Sequence, residues 1–296
     1  MKKLAILATV LFALCISANG QSAPSQRQKD SLSFAQAEWN WSEIGKCAEA
    51  GYASLPLFNS VQSISVVRYK ASKFRTSFVS SPRKAASKTD SLALRNGALA
   101  AVNGSYFNVK TRDHATFLCA DGEILSRTYP REMYRCNGVL AVKGRRGSRV
   151  RIFPYEQGSE ESVSKHFKSA LVAGPLLISG GKPREDFDMG RSFFNHRHPR
   201  SFVGSTKDGW VYFVVVDGRF PGQGEGASIP ELVTIAAWLG LDDAINLDGG
   251  GSSTLWTAPT GVLNHPSDNR KFDHKGLRTI PNIVTASPLG RSSKRR

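Results

Sequence analysis

The apolar and polar positions divide the chain into a short apolar start, a polar stretch and a long body of strand-like runs. Leu4 to Ile16 is the only extended apolar segment, with Lys2 and Lys3 before it and Ser17-Ala18-Asn19-Gly20 after it. That run is short for a bilayer crossing. Its basic, apolar and small-residue sections follow the order of a cleavable secretory signal, so residues 1–20 are expected to direct export to a periplasm or out of the cell. Cys15 would suit a lipoprotein, but the bulky Leu14 ahead of it does not suit lipoprotein cleavage. No later segment is expected to span a membrane. Residues 21–60 are polar and then helix-like from Trp39 to Ala50, which predicts an N-terminal cap segment.

From Val61 onward, short β-branched and apolar runs bounded by Gly, Ser and Pro predict strands at Ser65–Tyr69, Ala98–Val102, Val139–Val142 and Val150–Phe153. Residues 111–134 and 184–197 are polar and aromatic-studded, as loops over a site tend to be. One domain over residues 61–288 and a basic tail at 289–296 complete the partition.

The clearest local pattern spans residues 210–248. Trp210 to Val216 is almost continuously apolar, as a strand buried on both faces would be, and it stops at Asp217-Gly218-Arg219. Ser228-Ile229-Pro230-Glu231 has the form of a capping box and opens a helix with Ile229, Leu232, Val233, Ala236 and Leu239 on one face; Gly240 ends it. A second strand, Ala244 to Leu247, runs into Asp248-Gly249-Gly250-Gly251-Ser252-Ser253-Thr254. Strand, helix, strand at this spacing predicts a parallel βαβ unit. The fold class expected is therefore α+β, a mixed sheet containing that unit, with helices packed on it. If the two strands are neighbours, Asp217 and Asp248 open into one crevice at their carboxyl ends.

Composition changes this picture in two ways. The chain has 296 residues with 40 Lys plus Arg against 24 Asp plus Glu, a formal net charge of +16. The basic residues are scattered, through Lys70–Arg75, Lys143-Gly144-Arg145-Arg146 and Lys294-Arg295-Arg296, so they either keep the surface solvated or attract an anionic, phosphate-bearing glycan. No nucleic-acid-binding motif accompanies them. Of the cysteines left after cleavage, Cys119 and Cys136 flank strand-like segments and are the candidate disulfide, while Cys47, in a helix-like stretch without a nearby His, is expected to be inert.

Asp248 with three glycines and two serines carries the chemistry. Glycine lets a ligand approach the backbone, and Ser252, Ser253 and free amides can hold an anion or sugar hydroxyls. The segments Val102-Asn103-Gly104-Ser105-Tyr106-Phe107, Gly174-Pro175-Leu176-Leu177, His198-Pro199-Arg200-Ser201-Phe202-Val203-Gly204, Val216-Asp217-Gly218-Arg219 and Ile245–Thr254 together resemble the phosphodiester glycosidase family over residues 95–288. One departure is Ser105, where the family has a second glycine.

The resemblance implies cleavage at the anomeric carbon of a sugar-1-phosphodiester. That chemistry needs a carboxylate near the anomeric centre and a cation for the phosphate. Asp217 and Asp248 are the candidate carboxylates, and which of them acts is not readable from sequence. Arg200 is the candidate phosphate ligand, because a guanidinium can bind two oxygens at once. Asn103, Tyr106, Arg219, Gly249, Gly250, Gly251, Ser252 and Ser253 are candidate substrate contacts. His198 either protonates a leaving oxygen or bonds its own loop, and Glu231 either faces the crevice or only caps its helix. No ligand spacing demands a cofactor, although a divalent cation between the carboxylates is possible. The competing readings are a non-catalytic glycan-binding protein using the same crevice and a phosphodiesterase cutting on the far side of the phosphate.

Overall fold

The computed structural model describes residues 24–82, 85–144 and 147–289. The expected signal at residues 1–20 and nearly all of the basic tail lie outside them.

An eight-stranded sheet organises the molecule, in the spatial order Asn40–Gly45, Ala48–Leu57, Ser60–Lys70, Trp210–Val216, Arg200–Ser205, Asp243–Asn246, Leu176–Ser179 and Lys182–Pro183. Its side chains alternate between two cores, as the two-residue period of a strand requires. Val214 and Val216 join Ile64, Val66 and Phe202 under the helices Gln26–Ala35 and Ile229–Trp238. Phe213 and Val215 join Val67, Val203 and Ile245 against two five-stranded sheets on the opposite face, meeting Leu118, Leu140 and Leu171 from one and Val102, Leu255 and Val284 from the other. The layers therefore run helices, large sheet, paired small sheets.

Every strand ladder between described residues is antiparallel. This corrects the expected parallel βαβ unit. Helix Ile229–Trp238 does connect Trp210–Val216 to Asp243–Asn246, with the Ser228–Glu231 capping box formed in both directions. However, Arg200–Ser205 lies between the two strands and pairs antiparallel with each: Phe202 faces Val214 on one side and Asn246 on the other. The outer two run the same way without touching, about 9–10 Å apart at ~4.8 Å per strand. Asp217 and Asp248 thus still follow strands that end at one edge of the sheet, and Arg200 opens the intervening strand at that same edge.

Two further expectations change. Trp39 to Ala50 is a hairpin and not a helix: Asn40–Gly45 pairs with Ala48–Leu57, and Cys47 sits in the turn with φ 64°. Trp39 and Trp41 stack at 5.6 Å, which places their rings against the helix-side core. Cys119 and Cys136 are separate free thiols. The strand Ser169–Ala173 runs between Leu118–Ala120, which holds Cys119, and Gly138–Lys143, which starts two residues after Cys136. That separation exceeds disulfide reach. Burial pushes both thiols above the usual cysteine range.

Denaturing the protein without reductant and alkylating it should label all of Cys47, Cys119 and Cys136, read by intact mass. A mass two hydrogens short per missing pair of labels would restore the disulfide. Ser228→Ala should lower stability by about 1 kcal/mol in denaturant titration, the usual cost of a lost helix cap.

Candidate active site

The edge where Val216, Arg200 and Asn246 meet gathers most of the candidate residues. Pro199 passes between the two Asp-Gly turns there. A Cβ on Gly218 would fall 2.5 Å from the Pro199 nitrogen and one on Gly249 2.6 Å from the Pro199 carbonyl oxygen. Each glycine is therefore required by the close approach of this one backbone segment.

Asp217 is 1% exposed and fully engaged. Its carboxylate accepts from Ser63 Oγ at 2.6 Å, Asn264 Nδ2 at 2.9 Å, the His265 backbone NH at 2.9 Å and His265 Nδ1 at 2.9 Å. The last bond is donated by His265 Nδ1 to the carboxylate, so the ring meets Asp217 through that nitrogen and not through Nε2. His265 is further held by stacking on Phe272, with centroids 3.6 Å apart, and on His274 at 4.6 Å. Asp217 is thereby a carboxylate that orients a histidine.

Asp248 differs. It is partly exposed, and its side chain accepts no hydrogen bond of regular geometry from another side chain. Burial raises its pKa above the usual Asp value, opposed first by the neighbouring Ser252 hydroxyl, then by the Arg135 and Arg278 guanidinium groups and the Gly249 amide. The Ser252 hydroxyl stands beside the carboxylate but outside regular hydrogen-bond geometry. The backbone of this residue is pinned by Asn103, whose Nδ2 donates to the Asp248 carbonyl at 2.6 Å while its Oδ1 accepts from Ser201 Oγ and from the Thr254 amide. Asn103 therefore spans the loop from its first residue to its last, and Asn264 joins that loop to the other carboxylate, donating from Nδ2 to Asp217 and to the Ser253 carbonyl.

The glycine loop forms a cradle. Gly250 has φ +62°, and a Cβ there would lie 3.0 Å from Arg219 Nη2; at Gly251 it would collide with Asp268 and Arg278. The hydroxyls of Ser252, Ser253 and Thr254 are buried without a hydrogen-bond partner. Two guanidinium groups overlook this loop. Arg278 is held by Asp268 through two bonds, Nε at 2.9 Å and Nη2 at 2.7 Å. Arg219 makes no ion pair among the described residues and donates only to Ser267 Oγ at 3.3 Å. Burial, followed by repulsion from Arg278, lowers the Arg219 pKa, and the Asp268 carboxylate, bonded to Arg278, offsets this only in part.

The remaining candidates are placed as follows. Arg200, 2% exposed, donates Nε to the Ala227 carbonyl at 2.8 Å and Nη2 to those of Phe193 at 2.7 Å and His196 at 3.1 Å, with its guanidinium over the Phe193 ring. Burial lowers its pKa to about 10. These donors are spent on backbone, so Arg200 clasps the 193–198 loop, and the free guanidinium at the glycine cradle is Arg219. Tyr106 is buried beneath the site, donating to the Gly174 carbonyl and accepting from Asn246, with Arg135 3.9 Å over its ring. Glu231 is occupied by its cap and by Arg197. His198 stands near Arg200 and Arg219; burial first, then those two charges, lower its pKa, so its ring is neutral at pH 7. Among the described residues no three His, Cys, Asp or Glu side chains converge as a metal site.

Sequence reasoning missed His265, Arg278 and Arg135. His265 and Arg278 lie in the polar stretch 264–280, where no periodicity distinguishes them.

A family model described as phosphodiester glycosidase matches residues 96–286. That covers well over half the chain, which belongs to this family. The SPbeta prophage-derived uncharacterized protein YomE of Bacillus subtilis (strain 168) is 29% identical over 133 residues, 45% of this chain and 19% of YomE, so the chain matches about a fifth of that relative's length. Among solved structures, the catalytic domain of zebrafish N-acetylglucosamine-1-phosphodiester alpha-N-acetylglucosaminidase, auto-inhibited by its pro-peptide, aligns with a TM-score of 0.66 at 17% identity over 86% of this chain and 88% of that one. A hypothetical protein from Synechocystis aligns at 0.61, 14% identity, 85% and 64% coverage, and a putative exported protein from Burkholderia pseudomallei K96243 at 0.56, 17% identity, 77% and 74%. At these identities the structural matches speak for the fold.

Arg200→Ala should cost about 2–4 kcal/mol of stability by removing a buried side chain and its three charge-assisted bonds to the Ala227, Phe193 and His196 carbonyls, seen as a lower denaturation midpoint. For Asp248 the sign is the reverse. A carboxyl with a raised native pKa stabilises the fold below its unfolded pKa and loses that contribution as pH rises through the native one. Asp248→Asn should therefore melt above the wild type at pH 7, with the gain shrinking as pH falls into the carboxylate range, in calorimetric scans at several pH values.

Proposed function

We propose that the protein is an exported hydrolase that releases a sugar from a sugar-1-phosphodiester by cleavage at the anomeric carbon. The observation that carries this reading is that one glycine loop carries Asp248, whose carboxylate accepts no regular side-chain hydrogen bond, and lies against Arg219, which makes no ion pair among the described residues. A phosphodiester carries one negative charge next to the anomeric carbon, so a substrate seated with its phosphate at Arg219 and Arg278 presents its sugar to Asp248. Membership of the family supports the same class of reaction.

In this reading Asp248, ionised, acts at the anomeric centre, either directly or by activating water. The cradle amides of Gly249 to Gly251 and the orphan hydroxyls of Ser252 and Ser253 supply donors for phosphate or sugar oxygens. Asp217 does not face the sugar; it holds His265, whose Nε2 is suited to moving a proton to or from the reacting group. Asn103 and Tyr106 position the loop from below.

The direct test is release of free sugar from a panel of sugar-1-phosphodiesters. Asp248→Asn should remove turnover by at least about a thousandfold with an unchanged circular dichroism spectrum, whereas Arg219→Ala should act mainly on KM, by roughly ten- to a hundredfold for one lost charge-assisted contact. The raised pKa of Asp248 should set the acidic limb of kcat/KM above the usual Asp range. Sugar phosphate as the product in place of free sugar would assign a phosphodiesterase instead, and full activity in Asp248→Asn would sink the mechanism.

A further inference from the structure

A second cluster of basic side chains, Lys143, Arg149 and Arg151, lies at the end remote from the glycine loop. A groove of about 770 Å³ opens between the edge strand Arg149–Pro154 and the far ends of the central strands, where Ser205, Trp210 and Asp243 stand. Trp210–Val216 has seven residues, so this groove sits roughly 20 Å from Asp217 at ~3.3 Å per residue. A second cavity, about 480 Å³, adjoins it and shares Lys143. Together they form a trough around the hairpin of Gly138–Lys143 and Arg149–Pro154.

The chemistry of this trough is specific in two respects. Arg149 and Arg151 project from the same face of the edge strand, are exposed, and with Lys143 and Lys168 make no ion pair among the described residues. The acids lining the larger groove are already used: Asp242 accepts from Lys207 and Asp243 from the Gly180 amide. Half-buried rings line the larger groove with these cations: Phe153 and Phe167, stacked at 5.4 Å, and Trp210, which carries Lys70, itself paired with Asp208, over its ring at 4.8 Å. Arginines on an edge strand also guard against strand pairing. That role needs neither a cavity nor aromatic rings lining it beside the charges. Unpaired cations along a trough that also carries ring faces suit a chain of phosphates joined by sugar or polyol units.

We infer that this trough is a docking surface for a phosphodiester-linked glycan polymer, holding the chain while its reactive units reach the glycine loop. The inference rests on the proposed function only in taking a phosphodiester-bearing glycan as the substrate class; binding at the trough requires no turnover.

The probe is a fluorescently labelled poly(glycerol phosphate) chain, with binding followed by anisotropy as salt is varied. The wild type should bind with affinity that falls steeply with salt, and Arg149→Glu with Arg151→Glu should weaken it at least tenfold while turnover of a small soluble sugar-1-phosphodiester stays within twofold. Arg149→Gln with Arg151→Gln serves if the Glu pair fails to fold, and should weaken binding in the same direction. Asp248→Asn should bind the polymer like the wild type, which upholds the trough even if the glycosidase reading fails. Unchanged polymer binding in both double variants would overturn the inference. So would equal binding to hyaluronan of matched charge, or loss of binding to anionic vesicles with the polymer unaffected.

Discussion

The active edge depends on one steric constraint, the passage of His198-Pro199 between two Asp-Gly turns. Neither Gly218 nor Gly249 has room for a β-carbon against that backbone, and Gly226 would meet the His198 carbonyl oxygen at 2.6 Å. Three glycines from three segments thus close on two residues. Arg200 reinforces the arrangement from the buried side, tying the carbonyls of Phe193, His196 and Ala227 to the first residue of its strand. A cation in so dry a position is unfavourable on its own, as its lowered pKa records, and it persists because several carbonyl dipoles face it. The same insertion keeps the strands ending at Val216 and Asn246 from touching. The two aspartates are consequently held at fixed positions on one edge without sharing a proton.

That separation explains why two aspartates in similar sequence contexts have dissimilar surroundings. Asp217 receives four donors and gives its charge to the orientation of His265. A carboxylate so satisfied is a poor nucleophile, because every lone pair that attacks must first abandon a hydrogen bond. For Asp248 burial outweighs the Ser252 hydroxyl beside it and the more distant Arg135 and Arg278 guanidinium groups, so ionising it costs free energy that a cationic transition state could return. The proposed reaction assigns the sugar to Asp248 for this reason. Arg219 is its counterpart, a cation held beside Arg278 with no ion pair of its own among the described residues. A negative phosphate between them would relieve the repulsion that lowers its pKa.

What was legible in the sequence followed from local rules. The apolar run Trp210 to Val216, the Ser228–Glu231 capping box and the glycine loop after Asp248 each depend on residues within a few positions, and all three appear where expected. The parallel pairing failed because the strand that intervenes, Arg200–Ser205, precedes both in the chain, and nothing within residues 210–248 encodes its insertion. The helix expected near Trp39 failed because paired tryptophans and a left-handed Cys47 turn override a weakly helical composition. The interior position of Arg200 did leave a trace. Phe202 is two residues away and belongs to the helix-side core, so strand alternation sends Arg200 to the same interior face. His265 left no trace, because its partner is 48 residues away and its stretch has no period.

The distance between the glycine loop and the basic trough decides which substrates would gain from both. In the proposed reaction a small sugar-1-phosphodiester would fill the loop alone and meet none of Lys143, Arg149 or Arg151. A polymer bound at the trough places its other units within a radius set by its own stiffness, which converts a second encounter into an intramolecular one and raises the local concentration of reactive ends. The gain appears in KM and not in kcat, since no trough residue approaches the reacting bond. It also depends on salt, because exposed cations are screened over about 8–10 Å at ordinary ionic strength, whereas the partly buried Arg219 is screened less. Raising salt should therefore erase the advantage of the polymer over the small substrate before it affects the chemistry at Asp248.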